Sequence, residues 1–202
     1  MAQVPTGSTF YIASAYGSAK TVTIVTNATE AVVTAVAHGF SNGDVVEMTS
    51  GWGRLNKRHF EIESVLTDSF VLSGEDTTNT TFYPVGTGIG SVRKATTFTQ
   101  ITSVMNPQSS GGDPKTVTYK FVESDVEYSI NDGFGATSYT MELDADALGS
   151  AGYTALKSLT QVQTDTCLKV VTRSGSRVYQ PCTVALNESI RMQDGQINRV
   201  TC

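Results

Sequence analysis

The chain has 202 residues, 39% of them hydrophobic and 16% charged, enough for one large domain or for a compact domain carrying a smaller inserted one. Its formal net charge of −5 disfavours the electrostatic phosphate binding behind nonspecific nucleic-acid affinity. No run approaches the roughly 20 apolar residues of a membrane span, and MAQVPTGSTF at the N-terminus lacks a basic segment followed by an apolar one, so a soluble protein made in the cytoplasm is expected.

Thr, Val, Ser and Gly recur throughout, as strands with polar outer faces require, and the predicted class is mainly β. Residues 9–15 alternate as a first strand, and a Gly/Ser break follows at 16–20. From Val22 to Leu72 short β runs are separated by turn clusters, among them Ser41-Asn42-Gly43-Asp44 and Ser50-Gly51-Trp52-Gly53. Periodicity is then lost over residues 74–90, which read as a boundary and linker. The GxGxG at 86–90 leads into a β run rather than a helix, unlike a nucleotide cradle.

Residues 95–105 and 115–123 read as two strands joined by a long polar loop, 106–114, with Val117, Tyr119 and Phe121 on the buried face of a half-buried strand. A turn is expected at Asn131-Asp132-Gly133 and a strand over 138–143. Helical spacing occurs once, at Leu148, Gly152, Ala155, Leu156, Leu159 and Val162, which predicts one amphipathic helix over 148–162, capped by Ser150 or Asp146. Two hairpins follow. A two-residue turn at Ser174-Gly175 would set Cys167 opposite Cys182, close enough for a disulfide, with a buried dithiol expected in a reducing cytoplasm, and Asp194-Gly195 would turn the second.

Charge is uneven: residues 97–147 hold eight acids against Lys115 and Lys120, and residues 148–202 hold six bases against three acids. Such blocks can steer copies together head to tail, or can be two solvated faces. Catalysis has little to stand on. No G-x-S-x-G occurs, and His38 and His59 read as structural. No cofactor or metal site is expected: the three cysteines, including Cys202, lack CxxC spacing, and Glu123, Asp125 and Glu127 alternate as an acidic stripe unlike a turn-based calcium loop. Trp52 with Tyr11, Tyr16 and Tyr83 leaves a sugar-stacking platform as an alternative, with core packing more common for a lone Trp.

The order and spacing of several features resemble the tail tube proteins of siphophages, structural proteins and not enzymes. The resemblance covers roughly 95–202 plus the first strand. It is carried by the hairpin over 97–121, by Tyr128-Ser129-Ile130-Asn131-Asp132-Gly133-Phe134-Gly135 leading to the 138–143 strand, by Gly152-Tyr153-Thr154-Ala155-Leu156, by the 167–182 hairpin and by a final β pair. Residues 34–72 resemble a second family, a small β module common in phage structural proteins, through Ala37-His38-Gly39-Phe40, Asn42-Gly43-Asp44-Val45-Val46, Leu55-Asn56, Phe60-Glu61-Ile62 and Asp68-Ser69-Phe70-Val71-Leu72.

The two resemblances imply a β-sandwich tube domain over 1–20 and 91–202, with an inserted small barrel-like domain and linker over 21–90. They imply hexameric rings that pool strands into an inner barrel and stack into a virion tail, assembled in the host cytoplasm. Partners would be further copies, the tail terminator, tail tip and tape measure proteins, and phage DNA in transit, with no membrane. Asn106, Pro107, Gln108, Ser109, Asp113 and Pro114 are the expected inter-ring loop; Thr116, Thr118 and Lys120 are the expected lumen face, where Lys120 departs from an acidic lining. The alternative is a receptor- or carbohydrate-binding β module of a tail tip or fibre.

Overall fold

The structure, a computed structural model, describes residues 6–202. It is mainly β. In chain order the elements are β1 (Thr9–Tyr16), β2 (Lys20–Val22), β3 (Ile24–Val25), β4 (Val32–Thr34), β5 (Val45–Ser50), β6 (Arg58–Glu63), β7 (Ser69–Leu72) and β8 (Gly90–Ile101). Then come β9 (Val104–Gly111), β10 (Pro114–Tyr119), β11 (Tyr128–Phe134), β12 (Thr137–Asp144), a 3-10 turn (Ala145–Ala147), α1 (Ala151–Val162), β13 (Thr166–Val171), β14 (Arg177–Cys182), β15 (Asn187–Arg191) and β16 (Arg199–Thr201). Contacts divide the chain into one compact unit made of residues up to 102 and 148–186, and a second made of 103–147 and 187–202. This division follows packing, a different criterion from insertion along the chain.

The first unit is built on a sheet of order β14-β13-β1-β8-β5-β6-β7-β4-β3, with β2 pairing β8. Strands β5, β6 and the start of β8 form a wall buried on both faces. Successive side chains on a strand point to opposite faces, so Val46, Met48, Phe60, Ile62 and Val92 enter one core together with Val33, Trp52, Phe70 and Leu72. Val45 and Ala95 enter a second core with Ala13 and Cys167, against which Tyr16, Phe98 and Tyr179 pack. Double burial explains why β5 is almost continuously buried instead of alternating.

Where β14 approaches β6 the contacts are made by side chains. The Tyr179 hydroxyl donates to Glu61 Oε2 at 2.9 Å, and Arg177 Nη1 donates to Glu61 Oε1 at 2.7 Å. Nearby, Lys57 Nζ donates to Asp165 Oδ2 at 2.6 Å.

The glycine-rich run expected to be a linker is packed against the first core. Trp52 Nε1 donates to the Pro84 carbonyl at 2.8 Å and to Thr87 Oγ1 at 2.9 Å, and a Cβ on Gly88 would sit 2.9 Å from the indole ring. Glycine is required there because the backbone lies flat on the tryptophan. Trp52 itself is 1% exposed and stands edge-on to Tyr83, which removes it as a sugar-stacking surface.

Helix α1 begins three residues later than the periodicity suggests. Ser150 is the cap, its hydroxyl accepting from the Tyr153 N–H at 3.2 Å. The helix ends at Gln163, whose left-handed backbone donates to the Leu159 carbonyl. Gly152 lets the helix touch β8: a Cβ there would lie 2.4 Å from the Gln100 carbonyl oxygen.

The hairpin of β13 and β14 is one residue out of the expected register. Cys167 opposes Pro181 and Cys182 opposes Thr166, because the turn takes three residues, Arg173, Ser174 and Gly175, rather than two. Thr172 N–H donates to the Ser176 carbonyl and Gly175, at φ 88°, supplies the left-handed position. The one-residue slip sends the two thiols to opposite faces, and both are free. Burial pushes the Cys167 thiol up to about 12 and the Cys182 thiol up to about 11, so neither is a reactive thiolate at neutral pH.

Candidate assembly interface

The second unit holds one long hairpin with a bend in it. Strand β9 pairs antiparallel with β12, and β10 pairs antiparallel with β11; the two ladders join across the bend, where Gly135 N–H donates to the Asp113 carbonyl at 2.8 Å. The polar loop expected at 106–114 is therefore mostly strand. Asn106, Pro107, Gln108 and Ser109 lie on β9, Asp113 sits in the bend, and Pro114 opens β10.

Asn106 and Pro107 mark a β-bulge rather than a loop. The pairing shifts between Thr140–Gln108 and Glu142–Met105, Asn106 has φ 46°, and a proline without an N–H is tolerated at such an irregularity. Between the end of β8 and the start of β9 lie only Thr102 and Ser103, the latter at φ 57°.

Strand β12 lies between β9 and β16, and β15 completes a four-stranded sheet of order β15-β16-β12-β9. Met141, Leu143 and Val200 are buried. A polar side carries the Ser110–Ser138 hydroxyl pair at 2.7 Å and the Glu142 carboxylate. Asn106 Nδ2 donates to Glu142 Oε2 at 2.8 Å and Arg199 Nη1 to the same oxygen at 2.9 Å. The Asn106 hydrogen bond first, then Arg199, holds the Glu142 carboxyl below the usual carboxylate range. At the two ends of this sheet, β9 and β15 each have one ladder edge with no strand partner among the described residues.

The β10–β11 ribbon is amphipathic and neither face is covered. Thr116 opposes Asn131 and Thr118 opposes Ser129 on the polar face, with Lys120 following in line, all exposed. On the other face Val117 opposes Ile130 and Tyr119 opposes Tyr128. The rings of Tyr119, Tyr128 and Phe121 pack together with centroids 5.3 to 6.1 Å apart. The predicted half-burial of this strand does not occur within the chain: Val117 remains 47% and Ile130 57% exposed. An isolated two-stranded ribbon is marginal in water, and a contiguous uncovered apolar face of this kind marks an interaction surface.

The residues considered for chemistry are dispersed. His38 packs between Phe40 and Phe70, its Nδ1 accepting from the Phe40 N–H at 3.0 Å. His59 is buried in the second core of the other unit, its Nε2 2.8 Å from the Tyr16 hydroxyl. Beside it, Arg93 donates to Glu47 Oε2 at 2.6 Å. Burial of Glu47 was invisible to the pattern of β5, because nothing in one strand reveals that His59 and Arg93 of other strands stand against its polar side. Among the described residues no three His, Cys, Asp or Glu side chains are grouped to hold a metal.

A family model described as phage tail tube protein matches residues 50–202, more than half of the chain, and no curated protein matches it. The chain belongs to the phage tail tube protein family, structural proteins of the virion tail that are not enzymes.

Proposed function

We propose that this protein is the major tail tube subunit of a siphophage, forming hexameric rings stacked around a lumen through which DNA passes. The observation that carries the reading is the ribbon with its uncovered apolar face, attached to a four-stranded sheet with two unpaired edges. Unpaired edges are an aggregation hazard in a monomer; in a ring, β9 of one copy pairs with β15 of the next and both edges vanish. Six copies of four strands make a 24-stranded barrel roughly 45–50 Å across its backbone, wide enough for a duplex.

In this arrangement Thr116, Thr118 and Lys120 continue the polar lining of the lumen. The segment containing Asn106, Pro107, Gln108, Ser109, Asp113 and Pro114 lies at the junction with the adjacent ring, where the bend redirects the ribbon. Residues 21–90 are an insertion between β1 and β8, held by sharing β5 and β6 with the double-faced wall, and they face the tube exterior. The ends of the tube meet the terminator and tip proteins, and the tape measure occupies the lumen before DNA does. Assembly takes place in the host cytoplasm.

The double substitution Val117→Asp with Ile130→Asp tests the role of the ribbon. Both side chains are already exposed, so the free energy of unfolding in urea should change by less than about 1 kcal/mol, while tubes seen by negative-stain microscopy disappear. Normal tubes from this variant would refute the reading.

A further inference from the structure

The polar face of the four-stranded sheet carries charges that cancel within the chain. Register puts Asp144 of β12 opposite Arg199 of β16, and Arg199 opposite Arg191 of β15; Glu142, two residues from Asp144, shares their side. Two acids therefore meet two arginines. The Arg199 guanidinium is occupied at both prongs: Nη1 donates to Glu142 Oε2 at 2.9 Å and Nη2 donates to Gln196 Oε1. After the Asn106 hydrogen bond and Arg199, the Arg191 charge also favours the ionised Glu142. Further along the same face the opposed pairs are uncharged, Ser138 with Ser110 and Thr140 with Gln108, and all four are exposed.

We propose that Glu142 and Asp144 are the residues that keep the lumen from holding DNA. They cancel Arg191 and Arg199, and Glu142, together with Gln196, fills the Arg199 fork that would otherwise clamp a phosphate. The inference rests on the tube reading and names how the lining treats the duplex that passes it.

If copies of this sheet close into a barrel, the face that looks into the pore is fixed by burial. Met141, Leu143 and Val200 on the other face are already covered within the chain, and turning that face inward would put its covering in the pore. The exposed hydroxyl and amide face therefore lines the channel. A free arginine is the side chain best shaped to grip a phosphate, through two parallel N–H bonds, and each cation that meets a phosphate releases a counterion and adds affinity. Repeated around every ring, two uncompensated arginines per copy would make the tube a DNA trap. Pairing each with an acid removes that affinity without the repulsion that an acidic lining would impose on a duplex at the entrance.

The test measures how much short linear duplex DNA sediments with tubes assembled from the full chain, against a relaxed circle of the same sequence. The circle has no end to thread, and with a persistence length of about 50 nm it does not fold back into such a pore. Unsubstituted tubes should retain the two forms equally. Glu142→Gln keeps the side-chain shape and an oxygen for Asn106; its tubes should retain more than about tenfold more linear duplex in about 50 mM salt, with the gain lost by about 200 mM. Adding Arg199→Gln should return retention to within about threefold of the unsubstituted tubes, which a merely structural pair would not do. Should Glu142→Gln fail to assemble, Asp144→Asn is expected to give the same capture. Unsubstituted tubes that already hold linear DNA, a variant that gains none or holds circles as well, or capture that survives Arg199→Gln would overturn this inference and leave the tube reading standing. An unsubstituted chain that forms no tubes would instead remove the reading itself.

Discussion

His59 shows what a residue sustains by being placed between two cores. Its Nε2 meets the Tyr16 hydroxyl, while its Nδ1 is buried with no hydrogen-bond partner. Burial foremost, and the neighbouring Arg93 next, lower its pKa from 6.5 to about 4, so the folded protein keeps the ring neutral. The unfolded chain binds a proton near 6.5 and the folded chain does not until about 4. The stabilisation is therefore complete above pH 6.5 and is lost as pH falls towards 4. Between pH 7 and 4.5 this group should remove about 2–3 kcal/mol of unfolding free energy. The variant His59→Gln should flatten that part of the pH dependence in urea titrations, and an equal slope in variant and wild type would show that the ring is not held neutral. From the sequence His59 was legible only as the start of a strand. Its partners Tyr16, Glu47 and Arg93 come from three other strands, so no local spacing could reveal them.

At the level of single elements, what was legible depended on whether the signal was local. The helix declared itself by its own period and its Ser150 cap, and β1 by its alternation. The hairpins were misread where turn chemistry was ambiguous. Asn106-Pro107 and Gly111-Gly112 look like loop punctuation but form a bulge and a bend, whereas the break between β8 and β9 at Thr102-Ser103 contains no glycine or proline to announce it. Ser174-Gly175 fits a two-residue turn as well as a three-residue one, and the difference moved every side chain of β14 to the opposite face.

The glycine run at 86–90 misled in the same way, since flexibility and close packing both demand glycine. The substitution Gly88→Ala discriminates them. With Trp52 as close as 2.9 Å to the new Cβ, overpacking should cost about 1–3 kcal/mol, read as a lower thermal midpoint with altered tryptophan fluorescence. An unchanged midpoint would mean that the run is loosely held after all.

Across the whole molecule the formal charge is concentrated. Residues 21–90 hold eight acids against Arg54, Lys57 and Arg58, a balance of −5 that equals the net charge of the full chain. The remainder is neutral in sum, with its acids and bases in separate blocks. In the proposed tube, with this module on the exterior, its acidity would repel like-charged surfaces and keep finished tubes apart, while the neutral remainder would let copies approach through oppositely charged blocks. The class, the single helix and the family were all accessible from order and spacing along the chain. The double-faced wall was not, because it depends on one sheet in which neighbouring strands such as β13, β1 and β8 lie far apart in sequence.

The central claim is that unpaired ladder edges and an uncovered ribbon find their partners in other copies. Electron microscopy of the purified full chain over a rising concentration series tests it most directly. The account predicts hollow tubes of stacked six-fold rings with an open pore. A particle that stays monomeric at the highest concentrations, its ribbon folded onto its own surface, would contradict it.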